Sequence, residues 1–505
     1  MKRPRVDVDL GELDQLLDHA CEAPLSQGES ARIKEALHAL AEVLLSRRTS
    51  EKRRDVLPDA AGAPADETAP PAASPAKPNG HGRTPAAAYE GARKVTVTHP
   101  DLQHGDRCPG CERGKVYGQK APTPLVRMVG QAPLAATVYE LERLRCNACG
   151  QVYTAPEPEG VGPEKFDETA GAMIAQLKYG SGVPFARIEQ LERCLGIPLP
   201  ASTQWEVVEE VAELIKAARD ELIRQAASGE VLHNDDTGMR VLKLERPAGE
   251  ERTGVFTSGV VSVGQGRRIA LFFTGREHAG ENLAEVLRRR AAGLPAPVQM
   301  SDALSRNAPK LAGGVDILVA NCLAHGRRQF VDVAGSFPEQ CRFVLETLGA
   351  VYGNDAKARG GGLAPGERLA FHQERSGPLM KSLEEWLERQ LREHLVEPNS
   401  GLGKAIQYMQ RHWKALTLFL REPGAPLDNN LCERALKKAV LHRKNALFYR
   451  TLHGAEVGDL FMSLIHTCEL NGVNSFEYLV ALQRNAGAVA AAPGDWMPWN
   501  FRGRG

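Results

Sequence analysis

The sequence predicts an α/β protein whose core is one mixed β-sheet. Between residues 229 and 330, three segments rich in β-branched and aromatic residues follow one another across turns, which predicts an antiparallel meander. A helix, a strand, a second helix and a fifth strand are predicted to follow. This order of elements is typical of a ribonuclease H-like core. We expect a helical insertion within that core, and a zinc-binding module and N-terminal helices ahead of it.

Composition and charge exclude several classes of protein. The chain has 505 residues, and its 63 Lys and Arg residues equal its 63 Asp and Glu residues. A net charge of zero argues against a uniformly basic nucleic-acid coat but not against local basic patches. The sequence has no apolar run of about 20 residues, and its N-terminus, MKRPRVDVDLGELDQ, has no apolar core. We therefore expect a cytoplasmic protein with no membrane span and no signal peptide.

The N-terminal region, residues 1–54, is predicted to be helical. An ordinary amphipathic helix and a short coiled coil both suit the spacing of Ile33, Leu37, Leu40 and Leu44. Residues 55–93 are rich in Pro, Ala and Gly, so they cannot bury enough apolar surface to fold. We expect this second segment to be a disordered linker.

Two CxxC sequences predict a zinc-binding module at residues 94–160. CPGC at 108–111 and CNAC at 146–149 each present two thiolates to one ion, and two such turns complete a tetrahedron. Ten cysteines in so long a chain do not form a disulfide scaffold, and in a reducing compartment CxxC pairs favour a metal. The predicted ligands of one structural Zn²⁺ are Cys108, Cys111, Cys146 and Cys149.

Residues 161–228 are predicted to be helical and to be a candidate DNA-binding domain. A first helix, FARIEQLERCLG, ends at Gly196, IPLP interrupts the pattern, and a longer helix starts at a Ser/Thr cap in STQWEVVEE. A short helix, a tight break and a longer helix are typical of a helix-turn-helix, and equally of a plain helical hairpin.

The core strands are predicted in EVLHNDDTGMRVLKL, TGVFTSGVVSVGQG, RRIALFFTGRE, PVQMSD and VDILVANCLAH, with the helix ENLAEVLRRRAAG between the third and fourth. The first part of the core, residues 229–330, precedes a helical insertion at 331–421 that is too long for a loop. Residues 422–485 complete the core with the helix of LDNNLCERALKKAVLHRKNALF and C-terminal helices. Residues 486–505 are a tail.

Three acidic positions of the core suit two-metal phosphoryl transfer, which needs carboxylates around a pair of Mg²⁺ ions. Asp235 or Asp236 lies within the first strand, where a charged pair is costly unless it is paired or metal-bound. Asp302 follows the fourth strand, and Glu433 lies on the polar face of the last core helix. Each acid also has an ordinary interpretation: DDTG favours a turn, SDAL a helix N-cap, and Asn430 with Glu433 a capping box.

Six motifs of this chain resemble, in the same order, those of transposases of the insertion-sequence 66 family. They are HNDDTGMRVL, SDALSRNAP with NCLAHGRRQF, FHQERSGPLMKSLEEWL, GKAIQYMQRHWKALTLFL, PLDNNLCERALKKAVLHRKNALF and HGAEVGDLFMSLIHTCELNGVNSFEYL. The resemblance extends from the CxxC pairs to the region of residue 485 and is strongest at 425–480.

The resemblance implies a DDE-type DNA transposase, which cleaves DNA with water and then joins the freed 3′-hydroxyl to target DNA. Matched residue by residue, Asp235 is the first catalytic acid, Asp302 the second and Glu433 the third, while Asp236 replaces the family's usual glutamate. The implied cofactors are two Mg²⁺ ions held by the three acids, with Mn²⁺ able to substitute. The implied partners are transposon ends and target DNA, bound at the nucleoid by a homo-oligomer. Whether helper proteins of the same element take part is left open.

The last core helix is predicted to lay an apolar side on the sheet and to present a basic side to DNA. The apolar residues are Cys432, Leu436 and Ala439. The residues that would contact DNA phosphates, on this helix and in the NCLAHGRRQF motif, are Arg434, Lys437, Arg443, Lys444, Arg327 and Arg328.

The sequence departs from the family pattern at aromatic positions, and none of these departures removes a carboxylate. SDALSRN lacks the usual aromatic, and Leu323 and Ala446 stand where the family has tryptophan. Cys322 and His325 keep the family's spacing; a second metal site is one interpretation, and a structural hydrogen-bonding histidine is the favoured one. Two other functions stay open: a domesticated, non-catalytic DNA-binding protein, against which the intact acidic triad argues, and a nuclease without strand transfer.

Overall fold

The computed structural model describes residues 26, 86–89, 92–119, 125–128, 131–149, 151–162, 164–244, 252–311 and 316–501. The described residues from 86 to 135 form one compact unit and those from 136 to 501 form another. The predictions of N-terminal helices, of a coiled coil and of most of the linker fall on residues outside those described. Within the described part of the chain, no helix is long and apolar enough to cross a membrane.

Each CxxC sequence lies in a turn between two paired segments. In the first unit, Arg107 and Lys115 form an antiparallel bridge on either side of CPGC. In the second unit, strand β1 (Arg143–Arg145) pairs antiparallel with β2 (Val152–Thr154) on either side of CNAC. These four described cysteines form no disulfide bond. The four-cysteine zinc site stays a prediction.

The core of the second unit is a five-stranded mixed sheet. The strands that follow β2 in the chain are β3 (Val231–Gly238), β4 (Val241–Lys243), β5 (Phe256–Gly264), β6 (Arg267–Gly275), β7 (Val298–Ser301), β8 (Leu318–Asn321) and β9 (Tyr449–Thr451).

The order of strands in the sheet is β6-β5-β3-β7-β8. Strand β3 is antiparallel to β5, which is antiparallel to β6, whereas β3, β7 and β8 are parallel. A short parallel pair, β4 and β9, lies outside this sheet. The five predicted strands and the antiparallel meander of the first three are confirmed.

The helix predicted between the fourth and fifth strands is wrong for the described residues. The segment there holds one 3₁₀ turn, Ser305–Asn307. Pro309 follows the turn and has no N–H group, so it cannot extend the turn into a helix.

The helical region before the sheet ends with the predicted pair of helices. The helices up to the fourth strand of the core are α1 (Glu168–Ala175), α2 (Phe185–Cys194), α3 (Ala201–Ala226) and α4 (Ala279–Leu287). Gly196 follows α2 with a φ of 83°, as expected of a glycine at a helix end. The Ser/Thr cap is wrong: Pro200 precedes α3 and makes no side-chain capping bond. Its fixed φ suits the start of a helix without such a bond.

The segment predicted as a helical insertion contains helices and packs on the parallel edge of the sheet. Its helices, the first of which begins within the core segment, are α5 (Leu323–Val333), α6 (Pro338–Gly360), α7 (Pro365–Arg375), α8 (Gly377–Arg392) and α9 (Gly401–Leu416). The apolar sides of α5, α6, α8 and α9 form one core with Val298 and Met300 of β7 and Ala320 of β8.

The opposite edge of the sheet is covered by a C-terminal helix. The last helices are α10 (Asn430–Ala446), α11 (Leu452–Leu470), α12 (Ser475–Arg484) and α13 (Ala486–Ala491). Side chains four residues apart along α11 and its C-cap bond the backbone of alternate residues of edge strand β6. The pairs are Asp459 with Thr274, Ser463 with Phe272, Thr467 with Ala270, and Asn471 with Arg268. Four helical residues advance about 6 Å and two strand residues about 6.7 Å, so the two periods match closely enough for a ladder.

The segment predicted as a tail continues the fold as far as it is described. Beyond α13, residues Pro493–Trp496 form a 3₁₀ turn. Trp496, Met497 and Phe501 are buried. These apolar side chains therefore belong to the core of the second unit.

Candidate active site

Asp235 and Asp236 point to opposite faces of strand β3. Asp235 lies opposite Gly259, where an added Cβ would come within 3.0 Å of Leu436 on α10. Asp236 lies opposite Ser258, whose hydroxyl accepts a hydrogen bond from the Asn282 amide on α4 at 2.9 Å. Since cross-strand partners share a face, Asp235 faces α10 and Asp236 faces α4. The alternation expected from the sequence is confirmed.

Asp235 and Asp302 are brought together by one buried asparagine. The side-chain amide of Asn307 donates to Asp235 Oδ1 at 3.3 Å and also to Asp302 Oδ1. Asp302 directly follows β7, the parallel neighbour of β3. The two acids therefore meet at the carboxyl ends of adjacent parallel strands, as the topology predicted.

Asn307 is itself locked by a buried polar layer between β3 and β7. Its backbone carbonyl accepts from the side-chain amides of Asn234 at 2.8 Å and Gln299 at 3.0 Å. Gln299 also donates to Asn234 Oδ1 at 2.8 Å. The sequence analysis missed these three residues. Their one sequence signal is Gln299, an amide between Val298 and Met300 in a short strand, whereas Asn234 lies between His233 and Asp235 and does not stand out.

The charges of the two aspartates repel each other in a partly buried position. Burial raises the pKa of Asp235 to about 7, and the negative charges of Asp302 and Asp236 raise it too, against the backbone amide of Asp236 and the side chain of Asn307. Oxygen ligands at such a position suit a hard divalent cation, whose charge would offset the repulsion.

Asp236 is satisfied by a histidine and an arginine on the other face. Its carboxylate lies 2.8 Å from His278 Nδ1 and 3.2 Å from an Arg306 nitrogen, and its side chain is 1% exposed. A carboxylate paired in this way has little capacity left for a metal. The geometry therefore gives the two residues different roles: Asp235 can serve as a metal ligand, whereas Asp236 is held by His278 and Arg306.

The start of α10 is attached to β3 one residue before Asp235. Asn429 Oδ1 accepts a hydrogen bond from His233 Nδ1 at 3.1 Å, and Asn429 Nδ2 donates to the carbonyl of Asn234 at 3.1 Å. Burial lowers the pKa of His233 to about 4, so its ring is neutral and can donate from Nδ1. Sequence analysis missed Asn429, which is fully buried.

The capping-box interpretation of Glu433 is wrong. The N-cap of α10 is Asn429, which makes no side-chain capping bond because its amide is committed to β3. Asn430 is the first helical residue, and its N–H donates to Asp428 Oδ1 at 3.1 Å. Glu433 is consequently one position too far along the helix to be the third residue after the cap.

Cys432 connects α10 to the sheet beside the position of Asp235. Its Sγ–H donates to the carbonyl of Gly259, the partner of Asp235 in the sheet, at 3.3 Å. Burial, and then the charges of Asp235 and Glu433, raise the pKa of this thiol well above its ordinary value.

Glu433 itself lies closest to a cysteine and a histidine at the start of α5. Ligand atoms of Cys322, His325 and Glu433 all lie within 4.8 Å of one another, with His325 Nδ1 at 3.7 Å from Glu433 Oε1. In the described part of the chain this is the group of three that meets that distance, and the set Asp235, Asp302 and Glu433 does not. Burial raises the pKa of Cys322 to about 11.

The basic residues predicted to contact DNA differ in their surroundings. Cys432, Leu436 and Ala439 are buried, as the helical pattern of α10 predicted, whereas Arg434, Lys437 and Lys444 are exposed. Arg443 instead donates to the hydroxyl of Thr237 at 3.0 Å, at the end of β3, and to the carbonyl of Gly238. Arg327 and Arg328 are half-buried on α5.

Comparison with known proteins gives a family match that spans the sheet and most of its helices. Residues 165–457 match the family model described as "Transposase IS66 family". Two curated relatives come from Sinorhizobium fredii (strain NBRC 101917 / NGR234). The "Uncharacterized protein y4hP" is 26% identical over 413 residues, covering 78% of this chain and 73% of the relative. The "Uncharacterized protein y4jD" is 28% identical over 375 residues, 71% of each chain.

Proposed function

This chain belongs to the IS66 family of transposases, and we propose that it is a DDE-type enzyme that cleaves and joins DNA strands with Asp235, Asp302 and Glu433. The strand order is β6-β5-β3-β7-β8, and β5 alone runs opposite to the other four strands. This arrangement is typical of a ribonuclease H-like core and supports that fold for the catalytic unit.

The observation that carries the proposal is the hydrogen bonding of the Asn307 amide to both aspartates. Two carboxylates held at adjacent strand ends repel each other, and burial together with this repulsion raises the pKa of Asp235. A protein gains nothing in stability from such a pair unless a cation joins it. The pair is best explained as half of a metal site.

The ligand types fit Mg²⁺, with Mn²⁺ as a substitute, because all three proposed ligands are carboxylates. Bound there, the ions would activate the attacking oxygen and offset the charge on the leaving oxygen. Asn307 would fix the orientation of the two aspartates. Asn429, by attaching α10 to β3, would keep Glu433 at the same end of the sheet.

DNA is the proposed partner of the basic side of α10. Arg434, Lys437 and Lys444 are exposed beyond the proposed metal site, where they would contact phosphates irrespective of sequence. Arg443 has a mainly structural role in this proposal, since its guanidinium already binds the end of β3. The helical pair α2 and α3 and the zinc site at Cys108, Cys111, Cys146 and Cys149 remain proposed parts of DNA recognition.

The test uses DNA that carries the terminal repeats flanking the gene for this chain. With Mg²⁺, the wild-type protein should cleave these ends and join them to target DNA. Asp235→Asn and Asp302→Asn should reduce both steps at least about 100-fold, or ~2.7 kcal/mol. The control is Asp236→Asn, which removes a carboxylate from the opposite face of the same strand.

Each result separates this function from its alternatives. Cleavage without joining would indicate a nuclease. DNA binding without cleavage under Mg²⁺ or Mn²⁺ would indicate a domesticated binding protein. Equal loss in Asp235→Asn and Asp236→Asn would mean that the strand, rather than the metal ligand, was damaged.

A further inference from the structure

A second group of ligand atoms lies beside the aspartate pair, and its chemistry differs from that of the three acids. Cys322, His325 and Glu433 offer a sulfur, a ring nitrogen and a carboxylate oxygen, all within 4.8 Å of one another. Magnesium selects oxygen ligands, whereas Zn²⁺ readily binds this mixture. The group therefore suits a different ion from the one proposed for Asp235 and Asp302.

Backbone hydrogen bonds hold the three residues in this arrangement. Cys322 is the N-cap of α5 and follows β8 directly, and His325 lies three residues later on the same helical face. The N–H of Leu323 donates to the carbonyl of Leu427 at 2.9 Å, and the N–H of Asn429 donates to Cys322 Sγ at 3.3 Å. These two bonds fasten the start of α5 to the segment that leads into α10.

Hydrogen bonding does not account for the histidine. His325 Nδ1 is buried and has no hydrogen-bond partner among the described residues. Glu433 Oε1 lies 3.7 Å away, beyond hydrogen-bond distance. His325 Nδ1 therefore does not make the structural hydrogen bond that the sequence favoured. This buried nitrogen faces the Glu433 carboxylate with no hydrogen bond between them.

We propose that Cys322, His325 and Glu433 bind one Zn²⁺-class ion. Three protein ligands leave a fourth tetrahedral position for water. Bringing the atoms to ligand distances of about 2.0–2.3 Å from a common centre needs only small side-chain movements. Neutral imidazole, thiolate and carboxylate would then all be satisfied by one ion.

The site has a regulatory consequence that rests on the proposed function. Glu433 is the third proposed catalytic acid, and a carboxylate held by zinc is not free to hold Mg²⁺. Zinc bound here therefore competes with assembly of the catalytic site, and it should inhibit strand cleavage.

The first test is zinc content of the full chain after dialysis, measured per chain for the wild type and for Cys322→Ala and His325→Gln. Each variant should hold one zinc fewer than the wild type, whatever number the CxxC cysteines hold. The matched control is Cys341→Ala, because Cys341 is equally buried, on α6, and belongs to no ligand group in the described residues. It should keep the wild-type zinc content.

Equal zinc content in wild type, Cys322→Ala and His325→Gln would overturn the site. Should Cys322→Ala fail to fold, the half-exposed His325 and Glu433 still decide, because His325→Gln and Glu433→Gln must each lose one ion. The second test is the ratio of DNA cleavage with and without added zinc, in Mg²⁺. Zinc should inhibit the wild type and Cys341→Ala at least about tenfold more than His325→Gln. A chain that never cleaves DNA would refute the proposed function, while the zinc content would still decide the site.

Discussion

The amide of Asn307 donates to Asp235 at 3.3 Å and at the same time to Asp302, so one side chain sets the positions of two acids from different strands. Asn307 is fully buried, and its own backbone is fixed by Asn234 and Gln299. The relative positions of the two carboxylates thus depend on a residue that carries no charge.

Asn307→Ala should lower Mg²⁺-dependent cleavage by about 10- to 100-fold, the usual cost of losing a residue that orients metal ligands. DNA affinity should stay within about twofold, since the residue is buried away from DNA. The comparison is Asn354→Ala, which removes an amide that bonds Arg375 and Ser376 in the helical insertion. A similar loss of cleavage in both variants would point to general destabilisation instead.

Local patterns were sufficient to predict the strands and the orientation of α10. Alternating and continuous apolar runs indicated the five strand segments, and the helical period indicated the buried face that contains Cys432, Leu436 and Ala439. Each of these features depends on neighbours within a few residues of the chain, which is the range over which periodicity carries information.

Features that depend on distant partners were missed or mistaken. The sequence pattern favoured Asn430 as the helix cap, whereas the cap is Asn429, whose side chain binds His233, 196 residues away. With the cap one residue earlier, Glu433 is too far along the helix to complete a capping box. The helix predicted after Asp302 failed for a related reason, because the short turn is held by hydrogen bonds between Asn307 and other strands.

Lys437 and Lys444 should contribute to DNA affinity without regard to sequence. Changing both to Ala should weaken binding to specific and random duplexes alike, and the slope of log K against log salt should become shallower by about 0.9 for each phosphate that is no longer neutralised. Lys438→Ala is the control on the same helix, because Lys438 is paired with Glu469 at 2.8 Å. A weakening restricted to the terminal repeats would contradict phosphate binding and indicate base recognition.

Asp459 should make the fold less stable as pH rises. Burial raises the pKa of Asp459 from 3.8 to about 7, although Arg219 and the N–H and hydroxyl of Thr274 act in the opposite direction. The folded chain therefore binds more protons than the unfolded chain between about pH 4 and 7, and stability falls as pH increases through that window. Asp459→Asn keeps the shape without the charge.

The measurement is the melting midpoint of Asp459→Asn minus that of the wild type. This difference should become more positive from pH 5 to pH 8, because only the wild type acquires a buried charge. Taking the difference removes the contribution of other titrating groups. A difference that does not vary with pH would show that Asp459 is ionised in the folded chain throughout this range.

The final prediction concerns whether Glu433 is a metal ligand rather than a residue that merely lies near one. Asn429, four residues earlier, donates a hydrogen bond to the carbonyl of Asn234, the neighbour of Asp235, which attaches the start of α10 to the strand of the first acid. Glu433→Gln should abolish cleavage with both Mg²⁺ and Mn²⁺. Glu433→Cys should be inactive with Mg²⁺ but regain at least about a tenth of wild-type cleavage with Mn²⁺, which accepts sulfur ligands more readily. Asp236→Cys is the control, because Asp236 is paired with His278 and Arg306 and should show no such dependence on the metal. If Glu433→Cys responds to Mn²⁺ no more than Asp236→Cys does, the carboxylate at position 433 acts without binding the catalytic ion, and the third ligand must be another residue.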